Sequence, residues 1–171
     1  EEMDDWNAKA GLSGKSGLKP QVGIAVTIHK NCMPFERTTH VVPPAVFLGM
    51  GCKKGKEAED VKALAKSVLE QNQIYPEALA ALASIDVKKN EPGLLALAEQ
   101  LGIPFQTFSS EELLAVEGDF TPSSFVRQTV GVDNVCERSA VRAAQESVKE
   151  NISKTIQIIQ KKTADKGVTA A

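Results

Sequence analysis

Short apolar runs alternate with segments of helical periodicity along most of this chain, and that alternation limits the folds open to it. The run AVFLGMG (45–51) is short and continuous, as in a strand buried on both faces. From 57 to 71 the apolar residues recur at the spacing of one helix face. They are Val61, Leu64, Ala65, Val68 and Leu69. The next run, ALAALASIDV, predicts a helical turn feeding a second buried strand that ends at Asp86.

The same alternation continues beyond the second strand. Residues 91–101 predict a second helix, because leucines and alanines recur on one face and Gly102 suits its end. The run IPFQTFS predicts a third strand. Ser109 and Glu112 have the spacing of a capping box, which predicts a brief helix directly after that strand.

The last third of the chain is predicted to hold helices and then two strands. Thr121 with Pro122 predicts the start of a short helix that Gly131 ends. Asp133 or Asn134 is placed to cap the next helix. The segments TIQIIQ and KGVTAA favour strands joined by a polar turn at KKTADKG, and such a pair, if adjacent, is antiparallel.

Together these elements predict an α/β fold. Residues 45–171 are expected to form a three-layer α/β/α domain with a largely parallel sheet, which the terminal strand pair makes mixed. Residues 21–44 predict an extended connecting segment that could include a strand, since Val, Thr and Pro disfavour helix there. Residues 1–20 are rich in Gly, Ser and Lys and do not open with Met or a signal sequence. They predict a flexible linker or a fragment of a preceding region.

Composition and charge exclude several classes of function. The 171 residues carry a net charge of −2 and few aromatic side chains, so no nucleic-acid partner is expected. No apolar run approaches the ~18 residues of a membrane span, so no membrane partner is expected either. Three widely separated cysteines without a secretory leader indicate reduced thiols in the cytoplasm. The two histidines lack metal-ligand spacing, so no metal site is expected.

The segment SIDVKKNEPG is the richest in reactive groups at a position where such sheets bind ligands, the carboxyl end of a strand. Asp86, Lys88 and Glu91 follow the second buried strand directly. A carboxylate beside a lysine can act as a general base with an electrostatic partner. The alternative is an ordinary helix start, in which Asn90 or Glu91 caps the helix and the lysines are solvated.

The glycine-rich stretch LGMGCKKGKE follows the first buried strand. It does not match the phosphate loop G-x-x-x-x-G-K-[ST], because Glu57 follows Lys56, and Lys54 interrupts the dinucleotide pattern G-x-G-x-x-G. Its glycines, lysines and free helix N–H groups suit a ligand carboxylate as well as a phosphate. Cys52 has the setting of an activated thiol. No histidine after His40 is present to act as its base, so we interpret Cys52 as a packing residue.

A second cysteine stretch, GVDNVCERSAV, contains another predicted helix start. It places Asp133 at the cap and Cys136 and Glu137 in the first turn. Glu137 is positioned to reach back to Asn134 as a capping partner. Capping explains the polar residues of this stretch, but it does not explain why a cysteine stands among them.

Three ordered segments carry a resemblance to a known family. They are LGMGCKKG, LASIDVKKNEPGLLALAEQLGIPFQTFSSEEL and FTPSSFVRQTVGVDNVCERSA, with a looser return at KGVTAA. Together they resemble the C-terminal domain of the CbiG family, the cobalt-precorrin-5A hydrolases of anaerobic cobalamin biosynthesis. They also resemble the related CobE proteins, which look like that domain standing alone. Two departures stand out: hydrolase members generally carry a further N-terminal domain, and QESVKENISKTIQIIQKK is longer and more charged than expected.

The resemblance implies a cytoplasmic hydrolase of porphyrin and cobalamin metabolism, which opens the δ-lactone of a ring-contracted corrinoid and releases acetaldehyde. Cobalt would arrive inside the substrate, so no cofactor is expected. We hypothesise that Asp86 or Glu91 is the base and that Lys88 stabilises the oxyanion. The expected substrate contacts are Gly49, Gly51, Cys52, Lys53, Lys54, Gly55, Ser109, Thr121, Asp133, Cys136 and Glu137. The alternative is a corrinoid-binding or partner-docking module, inactive alone, that works with other pathway enzymes or an N-terminal domain.

Overall fold

A computed structural model describes residues 21–147 and 156–171. The predicted linker at 1–20 lies outside the described residues, as do Val148 of the last predicted helix and Thr155 of the TIQIIQ segment. The strands are β1 (Val22–Val26), β2 (Arg37–Val41), β3 (Val46–Cys52), β4 (Leu79–Ile85), β5 (Phe105–Phe108), β6 (Thr163–Asp165) and β7 (Val168–Ala170). The helices are α1 (Ala58–Gln71), α2 (Pro92–Leu101), α3 (Ser110–Leu114), α4 (Ser124–Val130) and α5 (Cys136–Ser147). Short 3₁₀ turns span Pro76–Ala78 and Asp86–Lys88.

Five of these strands form one mixed sheet in the order β5-β4-β3-β7-β6. β3 pairs in parallel with β4, and β4 pairs in parallel with β5. β7 runs antiparallel to both β3 and β6. Helices that follow β3 and β4 return the chain for the parallel pairings, as parallel strands require. The prediction of a largely parallel sheet made mixed by the C-terminal pair is confirmed.

Each face of this sheet buries its own apolar cluster. One cluster joins β3 and β4 to α1 and α2, and it includes Leu48, Met50, Val61, Val68 and Leu94. The other lies under α3 and α5 and includes Ile85, Phe108, Leu113, Val135 and Ala143. Burying each larger side chain contributes about 1.5–3 kcal/mol. Helices on both faces of the sheet confirm the three-layer α/β/α prediction.

The C-terminal strands differ from the prediction. Residues 156–160, within the predicted strand TIQIIQ, form no strand, and the hairpin is shorter and lies later in the chain. Lys166 and Gly167 both have positive φ, 47° and 79°, and form a two-residue turn directly between β6 and β7. Such a turn matches the twist of a hairpin and sets the strand register on either side of it. The strand prediction at TIQIIQ is therefore wrong. The first strand of the hairpin is β6, which lies inside the segment KKTADKG that was predicted to form the turn.

The start of α4 also differs from the prediction. The helix begins at Ser124 and not at Thr121, although Gly131 ends it with a φ of 77°, as predicted. Thr121 is held elsewhere, because its N–H donates to Glu137 and its carbonyl accepts from Asn134. A residue held by both of its backbone groups in this way does not continue into the helix.

The first described residues contain two strands. β1 and β2 pair in parallel, with Val22 opposite Arg37 and Val26 opposite Val41. Together with residues 32–36 they form a small unit of their own, whereas residues 27–31 belong to the larger unit. Within the larger unit, the Lys30 N–H donates to the Gln73 carbonyl. The segment predicted to be extended therefore holds a parallel strand pair.

Candidate functional site

The carboxyl ends of β3, β4 and β5 lie at one edge of the sheet, where ligands bind in folds of this type. The loops 53–57 and 86–91 leave β3 and β4 there. The hairpin turn at 166–167 lies at the same edge, because Val168 pairs with Cys52 and the Lys53 N–H donates to the Gly167 carbonyl at 3.0 Å. We call the residues 52–57, 86–91 and 166–167 the ligand edge.

Glu91 joins two loops of the ligand edge. Its Oε1 accepts a hydrogen bond from the Gly55 N–H at 2.7 Å, and the Lys88 Nζ donates to its Oε2 at 3.2 Å. Glu91 is 6% exposed and the Lys88 side chain 16%. Glu91 holds the cap position of α2, but its side chain makes no capping hydrogen bond. The alternative of a helix capped by the side chain of Asn90 or Glu91 is therefore not seen, and of the two lysines only Lys89 is solvated. Both carboxylate oxygens of Glu91 are engaged.

Asp86 stands in a different environment, although it lies only a few residues away. It is exposed and opens the 3₁₀ turn after β4, where its carbonyl accepts from the Lys89 N–H. Its carboxylate forms no hydrogen bond or ion pair with any residue in the described part of the chain. Of the two predicted bases, Asp86 is the one whose carboxylate is available to a water molecule.

The lysines of the glycine loop also divide into two kinds. Lys53 and Lys54 are exposed and form no ion pair within residues 21–147 and 156–171. Lys56 is paired with Asp60 at 2.8 Å, and Lys166 approaches the same aspartate at 3.8 Å. The hydrogen bond from Lys56 holds the pKa of Asp60 below its usual range. Lys53 and Lys54 are thus the cations of the glycine loop that are available to an anionic ligand.

Cys52 lies at the end of β3, half-buried. Burial raises the pKa of its thiol, and the opposing effect of the nearby Lys88 does not reverse this. A thiol with a raised pKa is protonated at neutral pH and is a weak nucleophile. This supports the interpretation of Cys52 as a packing residue.

Gly49 and Gly51 are required by the packing of the sheet. A Cβ on Gly49 would lie 1.8 Å from the Cys136 carbonyl oxygen at the start of α5. A Cβ on Gly51 would lie 2.9 Å from the Thr169 hydroxyl on β7. These glycines let α5 and β7 approach β3 closely, which accounts for them without a ligand. Their predicted contact with substrate stays a prediction.

A second group of predicted residues lies at the start of α5. Glu137 is fully buried, and its carboxylate accepts from the Thr121 N–H at 3.0 Å and the Lys162 N–H at 2.6 Å. Asn134 caps the helix, since its Oδ1 accepts from the Glu137 N–H at 2.8 Å. The side chain of Glu137 therefore does not reach back to Asn134, because the N–H groups of two distant segments bind it instead. Burial raises the pKa of the neighbouring Cys136 to about 11.

Ser109 and Asp133 each belong to a local hydrogen-bond arrangement. Ser109 and Glu112 form the predicted capping box. Asp133 accepts from Arg138 at 2.8 Å, and that hydrogen bond lowers the pKa of the carboxyl group. Arg138 also donates to the carbonyls of Leu113 and Val116. Ser109 thus caps a helix and Asp133 binds an arginine of another helix. Their contact with a ligand stays a prediction.

The sequence reasoning missed two glycines, one in the ligand edge and one beside it. Gly167 places the hairpin turn beside Lys53, and a Cβ on Gly93 would lie 3.0 Å from the Lys56 carbonyl oxygen. A glycine inside the first turn of a helix is unfavourable by about 1 kcal/mol relative to alanine, so Gly93 signals a close approach. That signal was present in the sequence, but it does not say which segment approaches.

Other regions of the described structure offer fewer reactive or charged groups. A cavity of about 520 Å³ runs along the amino-terminal halves of β3 and β4, and its lining includes Val46, Ala81 and Ile158. Glu137 is the one charged side chain among the described residues that line it, which does not suit an anionic ligand. Within the described ranges no three His, Cys, Asp or Glu side chains gather as metal ligands, and no helix has the length and apolarity to cross a bilayer.

Comparisons with known proteins agree on one family. The family model described as cobalamin synthesis G C-terminus matches residues 46–171. The cobalt-precorrin-5A hydrolase of Salmonella typhimurium is 41% identical over 95 residues, which cover 56% of this chain and 27% of that protein. The CobE protein of Sinorhizobium sp. is 34% identical over 105 residues, 60% of this chain and 68% of that protein. The crystal structure of a CobE protein superposes with a TM-score of 0.66 at 28% identity, covering 73% of this chain and 86% of that one.

Proposed function

The chain belongs to the family of cobalamin synthesis G C-terminal domains, and on that premise we propose that it is the C-terminal part of a cobalt-precorrin-5A hydrolase. Its similarity to the Salmonella hydrolase supports this proposal, although the chain spans 27% of that relative's length. The reaction is the opening of the δ-lactone on a ring-contracted corrinoid, with release of acetaldehyde. Cobalt belongs to the substrate, so this chemistry asks for no metal bound by the protein.

One observation carries the proposal: at the ligand edge, the glycine loop offers two unpaired lysines beside an exposed carboxylate. Lys53 and Lys54 are exposed on the loop after β3, and Asp86 is exposed at the end of the adjacent parallel strand. The substrate carries several acetate and propionate groups, which lysines bind as charge partners. The carboxylate supplies a base at the same edge of the sheet.

The residues suit the following chemistry. Asp86 takes a proton from a water molecule, which attacks the lactone carbonyl, and the acyl–oxygen bond breaks to give a carboxylate and an alcohol. The alcohol carbon then becomes the aldehyde carbon as its bond to the macrocycle breaks. The electron pair stays with the macrocycle, which takes up a proton. Lys88 or the N–H groups of the loops donate hydrogen bonds that stabilise the oxyanion.

The test uses the full-length protein with cobalt-precorrin-5A and measures acetaldehyde. Asp86→Asn is expected to lower turnover by about a hundredfold, the usual contribution of a general base, while the corrinoid still binds. Asp165→Asn, at another exposed aspartate, is the matched control and is expected to turn over normally. Unchanged turnover in Asp86→Asn would remove Asp86 from the mechanism.

A second candidate is a corrinoid-binding or docking module without activity of its own. The relation to CobE favours it, because the chain covers 68% of that relative, a larger share than it covers of the hydrolase. Mixing the chain alone with cobalt-precorrin-5A separates the candidates. A shift in the visible spectrum without acetaldehyde supports the module, whose partner would then be an N-terminal domain or another enzyme of the pathway. Acetaldehyde from the chain alone supports the hydrolase.

A further inference from the structure

We propose that Glu91 is a positioning residue, which holds the glycine loop in the conformation that presents Lys53 and Lys54 to a polycarboxylate ligand. The inference rests on the proposed function only for the identity of the natural ligand. Glu91 lies 36 residues from Gly55 in sequence, and its Oε1 is 2.7 Å from the Gly55 nitrogen. A buried carboxylate is costly unless its oxygens are hydrogen-bonded, so this contact links the two loops strongly.

The loop has two backbone attachments, and Lys54 stands between them. The Lys53 N–H donates to the Gly167 carbonyl at 3.0 Å, and the Gly55 N–H donates to Glu91. Gly55 has a φ of 69°, and a Cβ added there would meet nothing within 4 Å. The left-handed conformation of Gly55 suits the turn formed by Lys54 and Gly55. The hydrogen bond from the Gly55 N–H to Glu91 joins that turn to the loop after β4.

Lys88 completes the arrangement by balancing the charge of Glu91. Its Nζ lies 3.2 Å from Oε2, and its side chain is 16% exposed. Without it, Glu91 would be a buried and unpaired charge, which is strongly unfavourable. Because Lys88 is paired in this way, the exposed Lys53 and Lys54 are left as the free cations of the glycine loop, and the exposed Lys89 is the free cation of the loop after β4.

If Glu91 positions the loop, removing its side chain should change the affinity for a polyanion in the direction opposite to that expected from charge alone. Replacing Glu91 with a neutral residue removes a negative charge and frees Lys88, so simple electrostatics predicts tighter binding of a polyanion. If Glu91 positions the loop, Glu91→Ala weakens binding although the surface becomes more positive. Glu91→Gln keeps an oxygen that can accept from Gly55, so it should bind nearly as the unchanged protein does.

The experiment uses this chain, with tricarballylate as a small polycarboxylate probe and calorimetry to measure Kd. Glu91→Ala is expected to weaken binding by about tenfold, as for loss of one charge-assisted hydrogen bond, and Glu91→Gln by less than about twofold. The matched control is Glu70→Gln, which removes an exposed glutamate paired with Lys66. Amide hydrogen exchange of Gly55 is expected to speed up in Glu91→Ala and to stay slow in Glu91→Gln.

Several outcomes overturn the proposal. One is equal or tighter binding by folded Glu91→Ala, another is unchanged exchange at Gly55, and a third is a native chain that does not bind tricarballylate. A separate titration with cobyrinic acid, a stable corrinoid polycarboxylate, tests the proposed function. If tricarballylate shows the expected order of variants and cobyrinic acid does not bind, the corrinoid assignment fails and the role of Glu91 stands.

Discussion

Two buried glutamates, Glu91 and Glu137, both follow β3 in the sequence, but they serve different regions of the molecule. Glu137 is fully buried, and both of its partners are backbone N–H groups, from Thr121 and Lys162. Glu91 is nearly as buried, but it binds one backbone N–H and one lysine at the ligand edge. Both are acidic residues at a helix start, and burial does not separate them. Their hydrogen-bond partners and their positions relative to the sheet distinguish the two glutamates.

The glycines of the two regions show the same contrast. Gly49 lies against α5, where a Cβ would meet the Cys136 carbonyl oxygen at 1.8 Å. Gly55 lies in the open loop beside Glu91, where a Cβ would meet nothing but the backbone has a φ of 69°. One glycine is required by packing and the other by conformation. The region around α5 is thus close-packed, whereas the ligand edge is held by a few polar contacts and is otherwise open.

The largest effect is expected for Gly49→Ala. Relieving a Cβ contact with a backbone oxygen needs movement of α5 or β3, so the free energy of unfolding should fall by about 3 kcal/mol or more. Gly55→Ala, the comparison variant, should cost about 1–2 kcal/mol, the strain of a left-handed alanine. Urea unfolding measures both. Equal losses of unfolding free energy in the two variants would contradict the difference in packing between the two regions.

The next effect is expected for Glu137→Gln, which should lower the free energy of unfolding by about 2 kcal/mol, because the amide group faces one of the two N–H donors. Burial alone would raise the pKa of Glu137, but the hydrogen bonds from Lys162 and Thr121 outweigh it and lower the pKa from the ordinary 4.5. The unfolded chain therefore binds this proton more readily. The stability due to Glu137 is complete above that ordinary value and is lost as pH falls through the lower, folded pKa.

The control for this pH dependence is Glu146→Gln, which changes an exposed glutamate on the same helix, paired with Arg142. Urea midpoints measured from pH 7 down to pH 3 should fall less steeply for Glu137→Gln than for the native chain, while Glu146→Gln follows the native chain. A native slope retained in Glu137→Gln would show that other carboxylates account for the loss of stability in acid.

The smallest effect on stability, and a clear effect on binding, is expected for the double variant Lys53→Gln/Lys54→Gln. Both side chains are exposed, so the free energy of unfolding should change by less than about 0.5 kcal/mol. Affinity for tricarballylate should fall several-fold at low salt and by less at high salt, because salt screens exposed charges. Lys62→Gln, which removes a lysine paired with Glu59 on α1, is the control. A loss of binding that does not depend on salt would contradict an electrostatic role.

Much of the fold followed from local signals. The apolar face of α1, the capping box at Ser109 and the glycine stops at Gly102 and Gly131 all depend on residues within a few positions of one another. The hairpin boundary was missed because the segment TIQIIQ is as apolar as a strand, whereas the turn at Lys166 and Gly167 decides the register. The lysines and carboxylates lie at the sheet edge where they were expected, and their role as a ligand site stays a prediction.

The sequence by itself determined the alternation of strands and helices, and with it a three-layer α/β/α domain whose ligand edge carries Asp86, Lys53 and Lys54. Only the tertiary structure decided how each carboxylate is used. Glu91 binds a loop 36 residues away, and Glu137 binds segments 16 and 25 residues away. Periodicity and capping act within one or two helical turns, so they reveal an element and its exposed face. A buried carboxylate takes its partners from whichever segments the folded chain brings to it, and no local pattern records them.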